Sequence, residues 1–242
     1  DGGITPVVAQ TKTWSIVLAG GDGERLRPLT ERWLGTHRPK QYCRFLGRRS
    51  MLQHTLERAA LLSGVERTMI VAAAHHAPEL WNHVEGEYRK QTILQPRNCG
   101  TAPGVFLPLT HICLSEPDAT VVIHPSDHFV FPQEAFLAAV RRAVQAAEQQ
   151  PEKLVLVGAR PDRPETGYGW IQPGRTVDWV DGHAIRAVAA FLEKPNLTVA
   201  RQLFTAGSLW NTMVMAARVR TLLKLGWRWL PDMMIEFEDL TR

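Results

Sequence analysis

The chain contains 242 residues, of which 45% are hydrophobic and 21% are charged, and its formal net charge is +4. This length and composition indicate a folded domain with a sizeable core and exclude a disordered or low-complexity chain. The positive charge suits anionic substrates, but no long Lys/Arg run and no basic face interleaved with aromatic residues indicates nucleic-acid binding. No apolar stretch approaches about 18 residues, so the sequence predicts no transmembrane helix and no membrane association.

The N-terminus and the cysteines bear on where the protein is located. Residues 1–13 lack the basic start and apolar middle of a signal peptide, and we expect them to form a loosely ordered leader. Cys43, Cys99 and Cys113 have no metal-ligand spacing, and an odd number of scattered cysteines favours reduced thiols. We therefore expect a cytoplasmic protein.

Short apolar runs and helical patterns alternate along the first half of the chain. Trp14–Ala19 is an apolar run followed by glycines, which predicts a buried strand that leads into a loop. Ser50–Ser63 is predicted to be a helix that begins with a capping box, formed with Gln53, and ends at Gly64. Two further strands are predicted, at Thr68–Ala73 and Thr92–Leu94.

The second half of the chain continues this alternation. Pro103–Leu114 is predicted to be a helix with proline in its first turn, although Pro108 would strain it. Gln133–Gln149 has the clearest helical periodicity in the chain. The remaining predicted elements are strands at Ala119–His124, Leu154–Gly158, Ile185–Leu192 and Trp210–Ala216, and helices at Val199–Thr205 and Pro231–Leu240.

Strands that alternate with helices predict an α/β fold, with a predominantly parallel sheet covered by helices on both faces. In such a sheet, ligands bind beyond the carboxyl ends of the strands. We therefore expect functional residues to follow strands directly.

A glycine-rich segment follows the first predicted strand. Gly20, Gly21 and Gly23 would let the backbone approach a ligand closely and point N–H groups at phosphate oxygens, and Arg25 adds positive charge. A tight turn with basic surface residues would have the same composition. The segment is not a Walker A loop, because Gly-Lys-Ser/Thr is absent, and it is not a dinucleotide fingerprint, because Leu26 occupies the last glycine position.

The segment does resemble the signature of nucleotidyltransferases that activate sugar phosphates, which reads approximately GGxGxRLxPLT followed by PKQ. Every fixed position is matched, by Gly20, Gly21, Gly23, Arg25, Leu26, Pro28, Leu29, Thr30, Pro39, Lys40 and Gln41. The resemblance implies a Rossmann-like nucleotidyltransferase fold with a mixed, predominantly parallel sheet. It also implies a single catalytic domain over residues 14–242.

Later segments narrow the resemblance to one branch of this family. Motifs similar to those of mannose-1-phosphate guanylyltransferases occur at Gln95–Pro103, Pro125–His128, Pro164–Ile171, Phe191–Pro195 and Trp210–Asn211. This branch implies transfer of GMP from GTP to mannose 1-phosphate, which forms GDP-mannose and releases pyrophosphate. The expected partners are therefore these small molecules, and a homo-oligomer is compatible with the resemblance.

The resemblance implies catalytic roles for three cations. Arg25 would stabilise the leaving pyrophosphate, Lys40 would neutralise charge near the α-phosphate, and Lys194 would bring in the attacking phosphate. Nucleotide contacts are expected from Leu18, Ala19, Gly20, Gly21, Gly23, Gln95, Asn98, Gly100, Thr101 and Ser126. Contacts to the sugar phosphate are expected from Gly169, Glu193, Lys194 and Asn211.

Asp127 is the fourth residue expected to be catalytic, as the candidate metal ligand, and Mg²⁺ is the expected cofactor. A carboxylate just past a strand end can hold Mg²⁺ between phosphate oxygens, although an Asx turn would place an aspartate there as well. Other site residues also have alternatives. Asn98 and Thr101 could cap a loop, and Glu193 and Lys194 could be a solvated pair at a strand end.

The sequence departs from the family in two places. The guanylyltransferase motif continues with Ser-Gly-Met-Phe, whereas this chain has Thr212–Met215, which fills space near the expected sugar site. The second metal carboxylate, expected in a W-S-D-x-G segment, is not found, so either the C-terminus is truncated or the metal site is incomplete. The same reaction with another nucleotide or sugar, or a catalytically weak nucleotide-sugar-binding regulatory protein, is therefore an alternative. His75 and His76 are interpreted as loop residues.

Overall fold

The computed structural model describes residues 12–239. Most of the leader predicted for residues 1–13 lies outside this range, as does Leu240 at the end of the last predicted helix. The strands are β1 (Thr13–Leu18), β2 (Thr68–Ala73), β3 (Thr92–Gln95), β4 (Thr120–Pro125), β5 (Val155–Ala159), β6 (Gly169–Val180), β7 (His183–Glu193) and β8 (Leu209–Arg218).

These strands form one mixed sheet in the order β3-β2-β1-β4-β8-β6-β7, and β5 pairs with β8. The pairs β2–β3, β1–β2 and β1–β4 are parallel, whereas β8 runs antiparallel to β4, β5 and β6. The first four strands therefore end at one edge of the sheet. The expected α/β architecture is confirmed.

Helices cover both faces of the sheet. They are α1 (Arg27–Leu34), α2 (Met51–Ser63), α3 (Ala77–Leu80), α4 (Glu87–Lys90), α5 (Thr101–Ser115), α6 (Gln133–Gln149), α7 (Leu197–Thr205), α8 (Val219–Trp229) and α9 (Pro231–Asp239). None of the helices within residues 12–239 is both long enough and apolar enough to cross a membrane.

Successive side chains of β1 face opposite sides of the sheet, as the strand periodicity requires. Ile16 belongs to a buried cluster with Leu109 of α5 and Leu222 of α8. Its neighbour Val17 belongs to a second cluster with Leu52 of α2. The central strand is therefore buried on both faces, which is typical of a parallel sheet.

The structure adds elements that the sequence patterns did not predict. Strand β6 forms a long antiparallel hairpin with β7, and its register shifts around Pro173, which cannot donate to the ladder. Helix α8 was also not predicted. Helix α5 begins at Thr101 rather than Pro103 and continues through Pro108.

Gly226 lies where α8 meets α5 and α9. A Cβ atom at this position would lie 2.5 Å from Cε1 of Phe106 and 2.7 Å from Sδ of Met234. At Gly104 of α5, by contrast, the nearest atom to an added Cβ would be Cδ2 of Leu18 at 3.6 Å, an ordinary contact. The two helical glycines therefore differ in the space around them.

We expect Gly226→Ala to lower the free energy of unfolding by about 1–3 kcal/mol, because overpacking outweighs the better helix propensity of alanine. Gly104→Ala is the matched control and should leave stability unchanged or raise it by up to about 1 kcal/mol. Urea denaturation followed by circular dichroism measures both changes. Equal stability of the two variants would contradict the proposed crowding at Gly226.

Candidate active site

The carboxyl ends of the first four strands carry most of the residues that the sequence singled out. The glycine-rich loop follows β1, Asn98 follows β3 and Asp127 follows β4. His75 and His76 follow β2. These candidate residues therefore come directly after strands, at the edge of the sheet where α/β proteins bind ligands.

Side-chain hydrogen bonds hold the carbonyl groups of the glycine-rich loop. The Gln41 amide donates to the carbonyl oxygens of Ala19 at 3.1 Å and Gly21 at 2.7 Å. Ser126 Oγ donates to the Leu18 carbonyl at 2.6 Å, and Asn98 Nδ2 donates to the Gly20 carbonyl at 3.1 Å. These contacts fix the loop from its carbonyl side.

The N–H groups of Gly20, Gly21 and Gly23 donate to no other group within residues 12–239. A Cβ atom at Gly21 would meet nothing within 4 Å, so space is open beside the loop. Unpaired backbone N–H groups beside open space are suited to phosphate oxygens. The three glycines therefore present unpaired donors at the end of β1, and their phosphate-binding role stays a prediction.

Gly23 brings the loop against the segment that carries Lys40. Its φ is +69°, and a Cβ atom there would lie 3.0 Å from the backbone nitrogen of Lys40 and 3.0 Å from Cα of Pro39. Both its left-handed conformation and this close approach require glycine. The loop and Lys40 are thus in direct backbone contact.

Lys40 and Asp127, both predicted to be catalytic, lie together. The Lys40 ammonium is 3.4 Å from Oδ2 of Asp127, and the two side chains are 34% and 40% exposed. Burial lowers the pKa of neighbouring His128, whose Nε2 is 3.8 Å from Oδ1 of Asp127. An accessible carboxylate and a cation therefore stand side by side at the end of β4.

Arg25, the third residue expected to act on the nucleotide phosphates, is exposed on a 3-10 turn that spans Glu24–Leu26. It makes no ion pair with any residue in the described range. The neighbouring Arg27 instead donates to Glu24 at 2.6 and 2.8 Å. Arg25 therefore lies directly after the glycine loop, and its side chain is open to solvent.

The remaining nucleotide-site candidates cluster at the start of α5. Gln95 is buried at the end of β3, Gly100 precedes the helix with φ +87°, and Thr101 is its first residue. The N–H of Gly100 donates to Oδ1 of Asn98 at 3.0 Å. Asn98 therefore does cap its loop. The first turn of α5, which begins at Thr101, leaves N–H groups without partners inside the helix next to this loop.

The residues expected to bind the sugar phosphate form a second group around β6 and β7. Gly169 pairs with Glu193 in the ladder, and a Cβ atom at Gly169 would lie 2.6 Å from Oε2 of Glu193 and 3.3 Å from Cβ of Asn211. Lys194 lies 3.0 Å from Oε1 of Glu193. All four predicted residues are therefore neighbours.

One residue of this second group and one residue close to it in sequence have left-handed backbones. Lys194 has φ +46° and Met213 has φ +58°. Met213 stands at the position of the family glycine, and its N–H donates to Oδ1 of Asn211 at 3.0 Å. The departure from the family motif therefore places a bulky residue in a conformation that favours glycine.

The structure also brings together residues that the sequence did not assign to a site. His75 Nε2 lies 2.8 Å from Oδ1 of Asp22, and His76 Nε2 lies 3.2 Å from the same oxygen. Partial burial alone would raise the pKa of Asp22, but hydrogen bonds from His75 and Asn98 outweigh it and lower the pKa. Asp22 follows β1, and the two histidines follow β2, which is the parallel neighbour of β1. The prediction of two adjacent parallel strands was therefore the signal that could have revealed this cluster.

Comparisons with known proteins agree with this geometry. The sequence profile of a family described as nucleotidyl transferase matches residues 14–229. The mannose-1-phosphate guanylyltransferase of Escherichia coli strain K12 is 32% identical over 94% of this chain and 47% of that protein. The xanthan biosynthesis protein XanB of Xanthomonas campestris is 35% identical over 81% of this chain and 40% of that protein.

A solved structure from Thermus thermophilus, described as mannose-1-phosphate geranyltransferase, is 32% identical to the chain with a TM-score of 0.79. The match covers 95% of this chain and 64% of that one. The chain spans less than half the length of the curated relatives it matches.

We expect Met213→Gly to raise the free energy of unfolding by up to about 1 kcal/mol, because glycine removes the cost of the left-handed conformation. Met215→Gly is the matched control: Met215 is extended in β8 and packs on the core, so its loss should destabilise the protein. Urea denaturation compares the two variants. A loss of stability in Met213→Gly as large as that in Met215→Gly would contradict the expectation.

Proposed function

Because the chain belongs to the nucleotidyl transferase family, matched over residues 14–229, we propose that it transfers a nucleotidyl group from a nucleoside triphosphate to a sugar 1-phosphate. The resemblance inferred from the glycine-rich segment is thereby confirmed at the level of the family. We propose GTP and mannose 1-phosphate as the substrates, which the names of several relatives support.

The contact between the glycine loop and the Lys40–Asp127 pair carries this proposal. The loop offers unpaired N–H groups to a triphosphate. The close approach at Gly23 holds the backbone of Lys40 against this loop. A cation and a carboxylate that can bind a metal are the groups that phosphoryl-transfer sites use.

The proposed reaction is an in-line displacement. A phosphate oxygen of the sugar 1-phosphate forms a bond to the α-phosphorus of the triphosphate, and the bond from that phosphorus to the bridging oxygen of pyrophosphate breaks. The nucleophile is already anionic, so no general base is required. Catalysis then depends on positioning and on neutralising phosphate charge, and we propose Arg25 and Lys40 for this role at the nucleotide and Lys194 at the sugar phosphate.

We propose Asp127 as the protein ligand of Mg²⁺. Its carboxylate is 40% exposed at the carboxyl edge of the sheet. Mg²⁺ in nucleotide sites is held by one or two carboxylates together with phosphate oxygens and waters, so this single carboxylate fits the ion. When bound, the ion would supply positive charge to the phosphates.

The residues around β6 and β7 are suited to the sugar phosphate. Glu193 can accept hydrogen bonds from sugar hydroxyls, and Lys194 presents a cation to the phosphate. Gly169 has no side chain to fill the space between Glu193 and Asn211.

A cytoplasmic location and the oligomeric state stay predictions from the sequence.

A second candidate function is favoured by Met213. This residue occupies the glycine position of the family motif beside Asn211, one of the proposed sugar contacts. A site altered there could bind a nucleotide sugar with little turnover, as a regulatory protein would. The two functions differ in product formation rather than in binding.

The test is pyrophosphate release from GTP and mannose 1-phosphate in the presence of Mg²⁺, with omission of each substrate in turn as the control. We expect release that requires both substrates. A panel of other nucleoside triphosphates and sugar 1-phosphates identifies a different substrate pair. Calorimetric binding of GDP-mannose without turnover would favour the regulatory function, and a folded protein with neither property would overturn the proposal.

We expect Asp127→Asn to lower kcat by about 100-fold or more, because the amide cannot neutralise or orient the metal ion. Asp118→Asn is the matched control: Asp118 precedes β4, at the opposite end of the strand, and forms an exposed ion pair with Arg220. Steady-state pyrophosphate release measures both variants, and circular dichroism checks their folding. Full activity of Asp127→Asn would contradict the role of its carboxylate.

A further inference from the structure

Asp22, which belongs to the glycine loop, forms a cluster with His75 and His76. Their ligand atoms all lie within 4.8 Å of one another, and no other group of three potential metal ligands occurs within residues 12–239. The two imidazole Nε2 atoms converge on one oxygen of Asp22, at 2.8 and 3.2 Å. The three residues come from the ends of two adjacent parallel strands.

The types of these residues point to a particular class of metal. Two imidazoles and one carboxylate suit zinc and other first-row transition metals, whereas Mg²⁺ prefers oxygen ligands alone. With metal–ligand bonds of about 2.0–2.1 Å, tetrahedral ligand atoms lie roughly 3.3 Å apart. The observed separations from Asp22 require only a small expansion to reach that value.

The surroundings of the cluster combine one anchored ligand with two accessible ones. The His76 side chain is 7% exposed, and its ring makes an edge contact with Tyr42 at a centroid distance of 5.7 Å. The side chains of His75 and Asp22 are 57% and 40% exposed, so an ion can reach them from solvent.

We propose that Asp22, His75 and His76 bind one transition-metal dication of the Zn²⁺ class, at a site separate from Asp127. This ion would be held by three protein ligands with at least one open position. Binding of the metal does not depend on the proposed nucleotidyl transfer, so either can fail without the other.

Such an ion would act on the glycine loop. Asp22 lies between Gly21 and Gly23, whose N–H groups face the proposed phosphate site, and its charge of −1 opposes phosphate binding there. A dication bound to the Asp22 carboxylate and two neutral imidazoles would change the net charge of the cluster from −1 to +1. The metal would also tie the loop to the end of β2 and restrict its motion.

The test uses the full chain, free of affinity tags and stripped of metal with a chelator. Titration with Co²⁺, followed by visible absorption, and with Zn²⁺, followed by calorimetry, should show one ion per chain with the spectrum of nitrogen and oxygen ligands. Zn²⁺ should also raise Tm. His75→Gln and Asp22→Asn should each lower the affinity at least about tenfold and remove the Tm shift.

The matched control is His111→Gln, an exposed histidine of α5 outside the cluster, which should bind Zn²⁺ like the wild type. Because His75 is more than half exposed, its replacement should leave the fold intact, and unchanged Tm without metal verifies this. Unaltered binding by His75→Gln, absence of one-to-one binding by the wild type, or a sulfur-to-cobalt charge-transfer band would overturn the proposal. The cluster would then be a hydrogen-bond network only.

Discussion

Hydrogen bonds from Gln41 and Ser126 to the carbonyl groups of the glycine loop determine much of the site. Ser126 lies at the end of β4 and Gln41 in the segment before α2, so the loop is held between two parts of the chain that are distant in sequence. With the carbonyls occupied, the N–H groups are turned toward open space. The phosphate site proposed at the end of β1 therefore depends on the parallel pairing that places β4 beside it.

The part of the site proposed to bind the sugar phosphate is built differently. It lies on an antiparallel hairpin and on β8, where the register of the β5–β8 ladder shifts between Val157 and Gly158. Lys194 and Met213 adopt left-handed backbones there, and such conformations persist only where the surrounding structure enforces them. One half of the site thus relies on regular parallel strands, and the other half relies on local irregularities.

Sequence patterns predicted the parallel half of the fold well, because buried strands such as β1 and β4 are short apolar runs and α6 has strong helical periodicity. They missed β6, whose polar and proline-containing sequence forms a strand through its pairing with β7 along its length and with β8 at its start. The Gly169–Glu193–Asn211 group was predicted through family motifs. Asp22 and His75 were not paired, because their contact spans 53 positions and arises from the register of β1 against β2.

The close approach at Gly23 has a mechanical consequence. Where two backbone segments touch without an intervening side chain, neither can shift toward the other, and close-packed contacts of this kind transmit displacement. A displacement of the glycine loop toward Pro39 and Lys40 would therefore be passed directly to their backbone. If the loop binds phosphate as proposed, the position of the ligand is coupled to the Lys40–Asp127 pair without any side chain in between.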